Sequence, residues 1–231
     1  PSTPAPVTAL ALAAPVFVSE QVELSGSLDP RLVMLSAPGS VQARSYRLLQ
    51  NRLLAQVNVR VVAVTSASPG EGKTTCAANL ALALAEAALA RVLLIDANLP
   101  RPGLAELFRF EPADGLMTQV VWCEESTPPY AVASIAGSQL QLAALKPNSA
   151  QGRRLDRPVF GATIRSLRSV YDYIVIDTAS VLESADANIV SECSDGVILS
   201  ARSGKSRKGE LRRALDQLQP ATVIGAALLD T

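Results

Sequence analysis

The stretch VVAVTSASPGEGKTTCAANLALALAE, residues 61–86, decides the fold of this 231-residue chain. Its first five residues, VVAVT, are mostly apolar and β-branched, as in a buried strand, and a loop with three Pro or Gly residues follows. The alanine- and leucine-rich segment that begins with GKTT predicts a long helix directly after this loop. A strand, a glycine-rich loop and a helix, in this order, form the context that a phosphate-binding loop requires.

The loop contains the groups that bind a nucleotide's phosphates. Gly70 and Gly72 let the backbone turn tightly with its N–H groups pointing inward, and Lys73 supplies a positive charge. The Thr74 hydroxyl can coordinate Mg²⁺, and the helix directs its positive N-terminal end at the phosphates. The motif's first glycine is replaced by Ala67, and the alternative interpretation is a glycine turn that binds nothing. The predicted nucleotide-binding residues are Pro69, Gly70, Glu71, Gly72, Lys73, Thr74 and Thr75.

From residue 61 onward the sequence alternates between strand-like and helical segments. Apolar runs, several of them continuous, predict strands at 61–65, 91–96, 140–145, 173–177, 196–201 and 223–229. Helices are predicted at 41–55, 73–90, 103–109, 156–169, 183–192 and 206–218. This alternation predicts an α/β fold with a doubly wound, mostly parallel sheet and helices on both faces, as in P-loop NTPases.

Composition and charge limit the remaining possibilities. Residues 1–27, rich in Pro and Ala in their first part, are predicted to be a flexible linker, and residues 28–231 to be one domain. Lys and Arg together number 21, as do Asp and Glu, so the zero formal charge argues against a dominant nucleic-acid or membrane-surface role. The chain has no histidine and its three cysteines lack metal-ligand spacing, which excludes zinc chemistry and a histidine-based triad.

Two aspartates end predicted strands that follow the loop. Asp96 closes LLID and Asp177 closes YIVID. In a parallel sheet these strand ends border the crevice that holds a nucleotide. An aspartate at this position can bind Mg²⁺ or accept a proton from a nucleophile. The alternative is that each aspartate only caps the next helix or turn.

Three motifs in this order resemble those of a known family. SPGEGKTT, LLIDANLPRPG and YDYIVIDTAS are similar to the Walker A, A′ and B motifs of bacterial protein-tyrosine kinases, the ATPase-derived kinases of capsule and exopolysaccharide synthesis. The likeness covers roughly residues 28–230. It implies the fold shared with septum-site and partition ATPases, and the cofactors ATP and Mg²⁺. It also implies a catalytic set of Lys73, Asp96 and Asp177, with Thr74, Asp96 and Asp177 at the metal.

The resemblance further implies a function and a setting. Asp96 would activate an incoming tyrosine hydroxyl, so the expected activity is tyrosine autophosphorylation that regulates polysaccharide polymerisation or export. The expected partner is a membrane activator or polysaccharide co-polymerase protein, with self-association and with no specific nucleic acid. The expected location is cytoplasmic, at the inner face of the membrane through a partner or an N-terminal segment.

The sequence departs from the family pattern at positions for metal, base, subunit contact and phosphoryl acceptor. Asn98 replaces the second Asp of the A′ motif, and Leu229 stands where relatives have an Asn that reads adenine. In the helix before the loop, Arg47 is kept but its neighbours in the family pattern, a Glu and an Arg, are replaced by Arg44 and Gln50. Ala179 and Ser180 replace a Pro-Pro pair, and in place of a C-terminal tyrosine cluster the chain has only Tyr46, Tyr130, Tyr171 and Tyr173.

These departures leave two alternatives open. One is a non-catalytic scaffold on the same fold, because the metal, base and acceptor positions are altered together. The other is a partition-type ATPase that binds DNA non-specifically through a basic run. That run could equally be a solvated helix face, and it comprises Arg202, Lys205, Arg207, Lys208, Arg212 and Arg213.

Overall fold

The computed structural model describes residues 17–24, 28–88, 90–112, 117, 130–146, 149–150 and 152–230. The strands of these ranges are β1 (Phe17–Val22), β2 (Val61–Ser66), β3 (Val92–Ala97), β4 (Tyr130–Ile135), β5 (Leu140–Ala143), β6 (Tyr173–Thr178), β7 (Gly196–Arg202) and β8 (Val223–Leu229). The helices are α1 (Val33–Ser36), α2 (Val41–Leu54), α3 (Lys73–Ala88), α4 (Leu104–Phe108), α5 (Arg157–Leu167), α6 (Asp186–Glu192) and α7 (Lys208–Gln217).

The eight strands form one sheet in the order β1-β4-β5-β3-β6-β2-β7-β8. Every neighbouring pair is parallel except β4 and β5, so β1 and β4 run opposite to the other six strands. The predicted α/β fold with a mostly parallel sheet is therefore confirmed. Because β3, β6 and β2 are adjacent, their carboxyl ends lie side by side at one edge of the sheet.

Both faces of the sheet are covered, which explains why its central strands are continuously apolar. Val62 and Val64 of β2 belong to the core on the side of α2 and α3. Val61 and Ala63 belong to the opposite core, with apolar side chains of α5, α6 and α7. Among the described residues, no helix is long and apolar enough to cross a membrane.

Local sequence signals fix where several helices begin. The Ser40 side chain caps α2 by accepting a hydrogen bond from Ala43 N (3.1 Å). The Asp156 side chain caps α5 by accepting one from Val159 N (2.9 Å). Helix α3 starts at Lys73, directly after the glycine loop. The first N–H groups of a helix have no carbonyl partner within the helix, so they suit a ligand that lies in this loop.

The prediction of a flexible linker over residues 1–27 is wrong for Phe17–Val22. This segment forms β1 and pairs in parallel with β4, from Phe17 opposite Tyr130 to Val22 opposite Ile135. Its hydrogen bonds come from the backbone of a strand more than a hundred residues away, and local composition does not report them. Residues 1–16 lie outside the described part of the chain, and the boundary at residue 28 stays a prediction.

Candidate nucleotide-binding site

The loop between β2 and α3 has the backbone shape of a phosphate loop. Gly70 and Gly72 have φ angles of 73° and 81°, in the left-handed region that favours glycine. A Cβ atom at Gly72 would lie 2.9 Å from Leu229 Cδ1, so the end of β8 packs directly against the loop. Cys76 N donates to Gly72 O (2.8 Å), which joins the loop to the first turn of α3.

The structure brings the predicted residues Thr74, Asp96 and Asp177 together. Asp96 and Asp177 are directly opposite each other at the ends of β3 and β6. Thr74 Oγ1 donates a hydrogen bond to Asp177 Oδ2 (2.6 Å). Both aspartates are fully buried, and Lys73 is buried too. Asp177 Oδ1 has no hydrogen-bond partner among the described residues, which marks it as an acceptor available to a ligand.

Asp96 is held in a fixed orientation by the backbone that follows it. Its Oδ2 accepts hydrogen bonds from Gly103 N (2.9 Å) and Leu104 N (3.0 Å), and its Oδ1 accepts one from Asn98 N (3.2 Å). Asp96 therefore also performs the capping role that the sequence left open, because Leu104 is the first residue of α4. The capping role does not prevent Asp96 from also acting on a ligand in the nucleotide crevice.

Burial shifts the protonation of both aspartates in the same direction. Desolvation raises the pKa of Asp96, against the opposing effect of its three backbone hydrogen bonds and the Lys73 charge. Desolvation and then the charge of Asp96 raise the pKa of Asp177, while Lys73 and Thr74 act in the opposite direction. Two adjacent buried carboxylates are costly without a cation, so the site favours binding of positive charge.

The residues at this edge fit Mg²⁺ as the cation. Among the described residues, no group of three or more Asp, Glu, His or Cys side chains is arranged to hold a metal ion. Mg²⁺ in nucleotide sites is commonly bound through one or two carboxylates together with phosphate oxygens and water. The free Oδ1 of Asp177 and the Thr74 hydroxyl provide that kind of partial ligand set.

The side chain of Glu71 accepts hydrogen bonds from other residues of the protein. It is buried, and its Oε2 accepts a hydrogen bond from Ser68 N (2.8 Å) while its Oε1 accepts one from Ser206 Oγ. Ser200 Oγ donates to Glu71 O (2.7 Å). The prediction that Glu71 binds nucleotide therefore rests on its backbone N–H group. Sequence reasoning missed Ser200 and Ser206, whose only signal was their place in the strand and turn after the Walker B motif.

The structure also shows the surroundings of the residues that depart from the family pattern. Asn98 is buried, and its backbone N donates to Asp96 Oδ1. Leu229 lines a cavity of about 670 Å³ that lies beside Thr75 and between α2 and the end of β8. Arg47 forms a bidentate ion pair with Glu86 (2.7 and 2.8 Å), whereas Arg44 donates to Gly39 O. Gln50 is buried, in contrast to an arginine that would face another subunit.

Comparison with known proteins places this site in a family. A family model described as an AAA domain matches residues 59–221. The chain is 32% identical over 211 residues to the succinoglycan biosynthesis transport protein ExoP of Rhizobium meliloti (strain 1021), covering 86% of this chain and 26% of ExoP. It is 32% identical over 197 residues to the tyrosine-protein kinase YwqD of Bacillus subtilis (strain 168), covering 83% of this chain and 81% of YwqD.

A solved structure supports the same grouping. The kinase domain of VpsO superposes with a TM-score of 0.69 at 28% identity, covering 83% of this chain and 95% of that domain. The chain thus spans most of YwqD and of the VpsO kinase domain, but only about a quarter of ExoP.

Proposed function

We propose that this chain, which belongs to the bacterial protein-tyrosine kinase family of P-loop ATPases, binds ATP with Mg²⁺ and transfers the γ-phosphoryl group to tyrosine. One observation carries the proposal: Asp177 lies buried beside Thr74 and Asp96, and its Oδ1 is without a hydrogen-bond partner among the described residues. Such a buried acceptor is stabilised by a cation, and the adjacent phosphate loop provides the place for the nucleotide that accompanies it.

The loop residues would bind and orient the triphosphate. Lys73 and the backbone N–H groups of the loop would hold the β- and γ-phosphates, at the positive end of α3. Thr74 and Asp177 would hold Mg²⁺, with Asp96 next to them. When bound, Mg²⁺ would offset the negative charge that develops on the phosphates during transfer.

Asp96 would accept the proton of the attacking tyrosine. Its raised pKa makes it a stronger base than an exposed aspartate, and three backbone hydrogen bonds fix its direction. The tyrosine oxygen then bonds to the γ-phosphorus as the bond to the β–γ bridging oxygen breaks, and ADP leaves. Positioning and charge neutralisation supply most of the catalysis in such a transfer, so a small set of side chains is sufficient.

The relatives suggest a setting for this activity. ExoP is named as a transport protein of succinoglycan biosynthesis, and YwqD as a tyrosine-protein kinase. We therefore propose that the chain regulates exopolysaccharide polymerisation or export at the cytoplasmic face of the membrane. It would do so with a membrane activator or co-polymerase protein and by self-association, through tyrosine autophosphorylation or a diverged form of it.

A second candidate is a scaffold that binds nucleotide without phosphoryl transfer. The observation in its favour is Asn98, which places an amide where the family pattern has a carboxylate, and so removes one negative charge from the metal site. This candidate predicts nucleotide binding without formation of phosphotyrosine.

Calorimetric titration with ATP and Mg²⁺ tests the proposal, with Lys73→Ala as the variant and Arg91→Gln as the control. Arg91 precedes β3, at the opposite end of the sheet from Asp96, and its removal takes away one positive charge without touching the loop. We expect heat from the wild type and Arg91→Gln, and none from Lys73→Ala. Absence of heat in the wild type would refute ATP binding.

A second measurement separates the two candidates. ADP release and phosphotyrosine are followed after ATP, Mg²⁺ and a tyrosine-containing peptide are added. Phosphotyrosine that disappears in Lys73→Ala supports the kinase. Binding without phosphotyrosine would establish the scaffold instead.

A further inference from the structure

We propose that the turn between β7 and α7, residues 203–207, lines the phosphate side of the nucleotide site, where Lys205 adds a positive charge and Glu71 holds the turn in position. This inference rests on the proposed function, because it requires that nucleotide binds to the loop. It adds a binding residue and a positioning residue to those that the family motifs contain.

Lys205 lies against the phosphate loop itself. A Cβ atom placed at Gly70 would come within 2.3 Å of Lys205 Nζ, so the ammonium group is in contact with the glycine backbone. Arg202, at the end of β7, approaches the same residue, with Nη1 at 3.5 Å from Gly70 O. Lys205 forms no salt bridge with any side chain in the described part of the chain. Its charge is therefore not neutralised by a carboxylate and can act on a bound anion.

The turn that carries Lys205 is connected to the loop by partly buried hydrogen bonds. The Ser206 hydroxyl donates to Glu71 Oε1 and accepts from Arg202 N (2.8 Å). A second bond joins Ser68 Oγ to Glu210 Oε2 (3.1 Å), in the first turn of α7. The loop and the turn are thus connected on both sides of Gly70. Because Glu71 is itself buried, it has little freedom to release Ser206.

This arrangement gives the two carboxylates near the loop different roles. Asp177 lies at the end of the loop where α3 starts, and its free oxygen is available to a cation. Glu71 has both carboxylate oxygens engaged, by Ser68 and Ser206. It therefore acts through the turn and is a positioning residue. The cation that it positions is Lys205, whose ammonium group lies against Gly70.

The chemistry predicts how the effect depends on the ligand. An ammonium group next to the loop attracts a ligand in proportion to the negative charge on its phosphates. Loss of one partly solvated charge contact weakens binding by roughly two- to fivefold. The loss is therefore largest for ATP, smaller for ADP and absent for adenosine, which carries no phosphate.

The test is calorimetric titration of ATP, ADP and adenosine against the wild type, Lys205→Gln and the control Arg91→Gln. We expect Lys205→Gln to weaken ATP binding by about two- to fivefold and adenosine binding not at all, with Arg91→Gln unchanged. Equal ATP affinity in the wild type and Lys205→Gln would overturn the inference and leave ATP binding intact. A wild type that binds no ATP would overturn both the inference and the proposed function.

Substitutions of Ser206 test the positioning role. Ser206→Ala removes the hydroxyl that donates a hydrogen bond to Glu71, and it should lower the affinity for ATP as much as Lys205→Gln does. Ser206→Thr keeps a hydroxyl at this position and should keep the wild-type affinity. In the double variant Lys205→Gln with Ser206→Ala, the loss should not exceed that of either single variant. Fully additive losses would overturn the positioning role. Thermal unfolding verifies that each variant is folded, and the exposed Lys205 provides the variant least able to disturb the fold.

Discussion

Replacing Asp177 by Asn should make the nucleotide-free protein more stable, even though it removes a residue of the site. Asp177 is fully buried, faces a second buried carboxylate across the strand pair, and leaves Oδ1 without a partner among the described residues. Removing this charge relieves a desolvation cost of several kcal/mol. The amide accepts a weaker hydrogen bond from Thr74 than the carboxylate does, which costs about 1 kcal/mol. The net stabilisation that we expect is therefore on the order of 1–3 kcal/mol.

The pH dependence of this effect follows from the direction of the pKa shift. The pKa of Asp177 is raised in the native state, so between its ordinary and its raised value the native protein binds more protons than the unfolded chain. The free energy of unfolding of the wild type should therefore fall as the pH rises through this window. In Asp177→Asn the decline should be smaller, with Asp96 responsible for what remains.

Urea unfolding at about pH 5 and about pH 8, with a chelator and without nucleotide, measures both quantities. We expect Asp177→Asn to exceed the wild type by more at the higher pH. Adding ATP and excess Mg²⁺ should then stabilise the wild type more than the variant, because the variant lacks the Asp177 carboxylate proposed to hold Mg²⁺. A variant that is no more stable than the wild type at the higher pH would refute the argument from the buried charge.

Asp195→Asn is the matched control, with the opposite expected sign. Burial alone would raise the pKa of Asp195, but Arg168 and the backbone N–H groups of Val61 and Arg60 outweigh it and hold the pKa below its usual value. Its carboxylate accepts two hydrogen bonds from Arg168, at 2.7 and 2.9 Å. Removing this charge should destabilise the protein. An equal gain in stability from both substitutions would indicate a general effect of lower negative charge.

Three further substitutions test other parts of the structure. Gly103→Ala would place a Cβ at 3.3 Å from Thr74 Cγ2 and so displace the Thr74 side chain. By calorimetry we expect ATP binding to be roughly three- to tenfold weaker in the presence of Mg²⁺ and little changed in its absence. Asn98→Asp returns a carboxylate to the site and should tighten Mg²⁺ binding in the presence of ADP, and an unchanged Mg²⁺ titration would contradict this. Glu86→Gln breaks the ion pair with Arg47 and should lower the free energy of unfolding by no more than about 1 kcal/mol. Because Arg47 lowers the pKa of Glu86, the difference from the wild type should vanish as acid protonates Glu86, in urea unfolding at a series of pH values.

The central strands can be predicted from the sequence because burial on both faces requires apolar side chains along them. Strands β2, β6 and β7 are buried on both faces, so most side chains along them are apolar, and the polar ones lie near their carboxyl ends. Strands β1 and β4 lie at one edge of the sheet, run opposite to the other strands, and carry polar residues such as Ser19 and Ser134. Their existence depends on pairing with each other and with β5, which no local pattern encodes.

The candidate site shows the same division between local and distant causes. Asp96 and Asp177 could be predicted to meet, because the carboxyl ends of adjacent parallel strands share an edge. The bond between Ser206 and Glu71 joins residues 135 positions apart, and the packing of Leu229 on Gly72 joins residues from β8 and the loop. Both depend on how the turn after β7 and the end of β8 are placed against the loop. Tertiary packing determines that placement, which cannot be predicted from the spacing of residues along the sequence.

The positions of three tyrosines limit which residue could accept a phosphoryl group in the proposed reaction. Tyr46 and Tyr171 are buried in the core, and the Tyr171 hydroxyl donates to Gln141 Oε1 (2.6 Å). Tyr173 begins β6, whereas Asp177 is four residues further along the strand, which places them about 13 Å apart along its axis. None of these three tyrosines can reach Asp96 while the domain is folded. In the proposed reaction the acceptor is therefore none of these three tyrosines, and a tyrosine peptide supplied in trans is the substrate that measures this site directly.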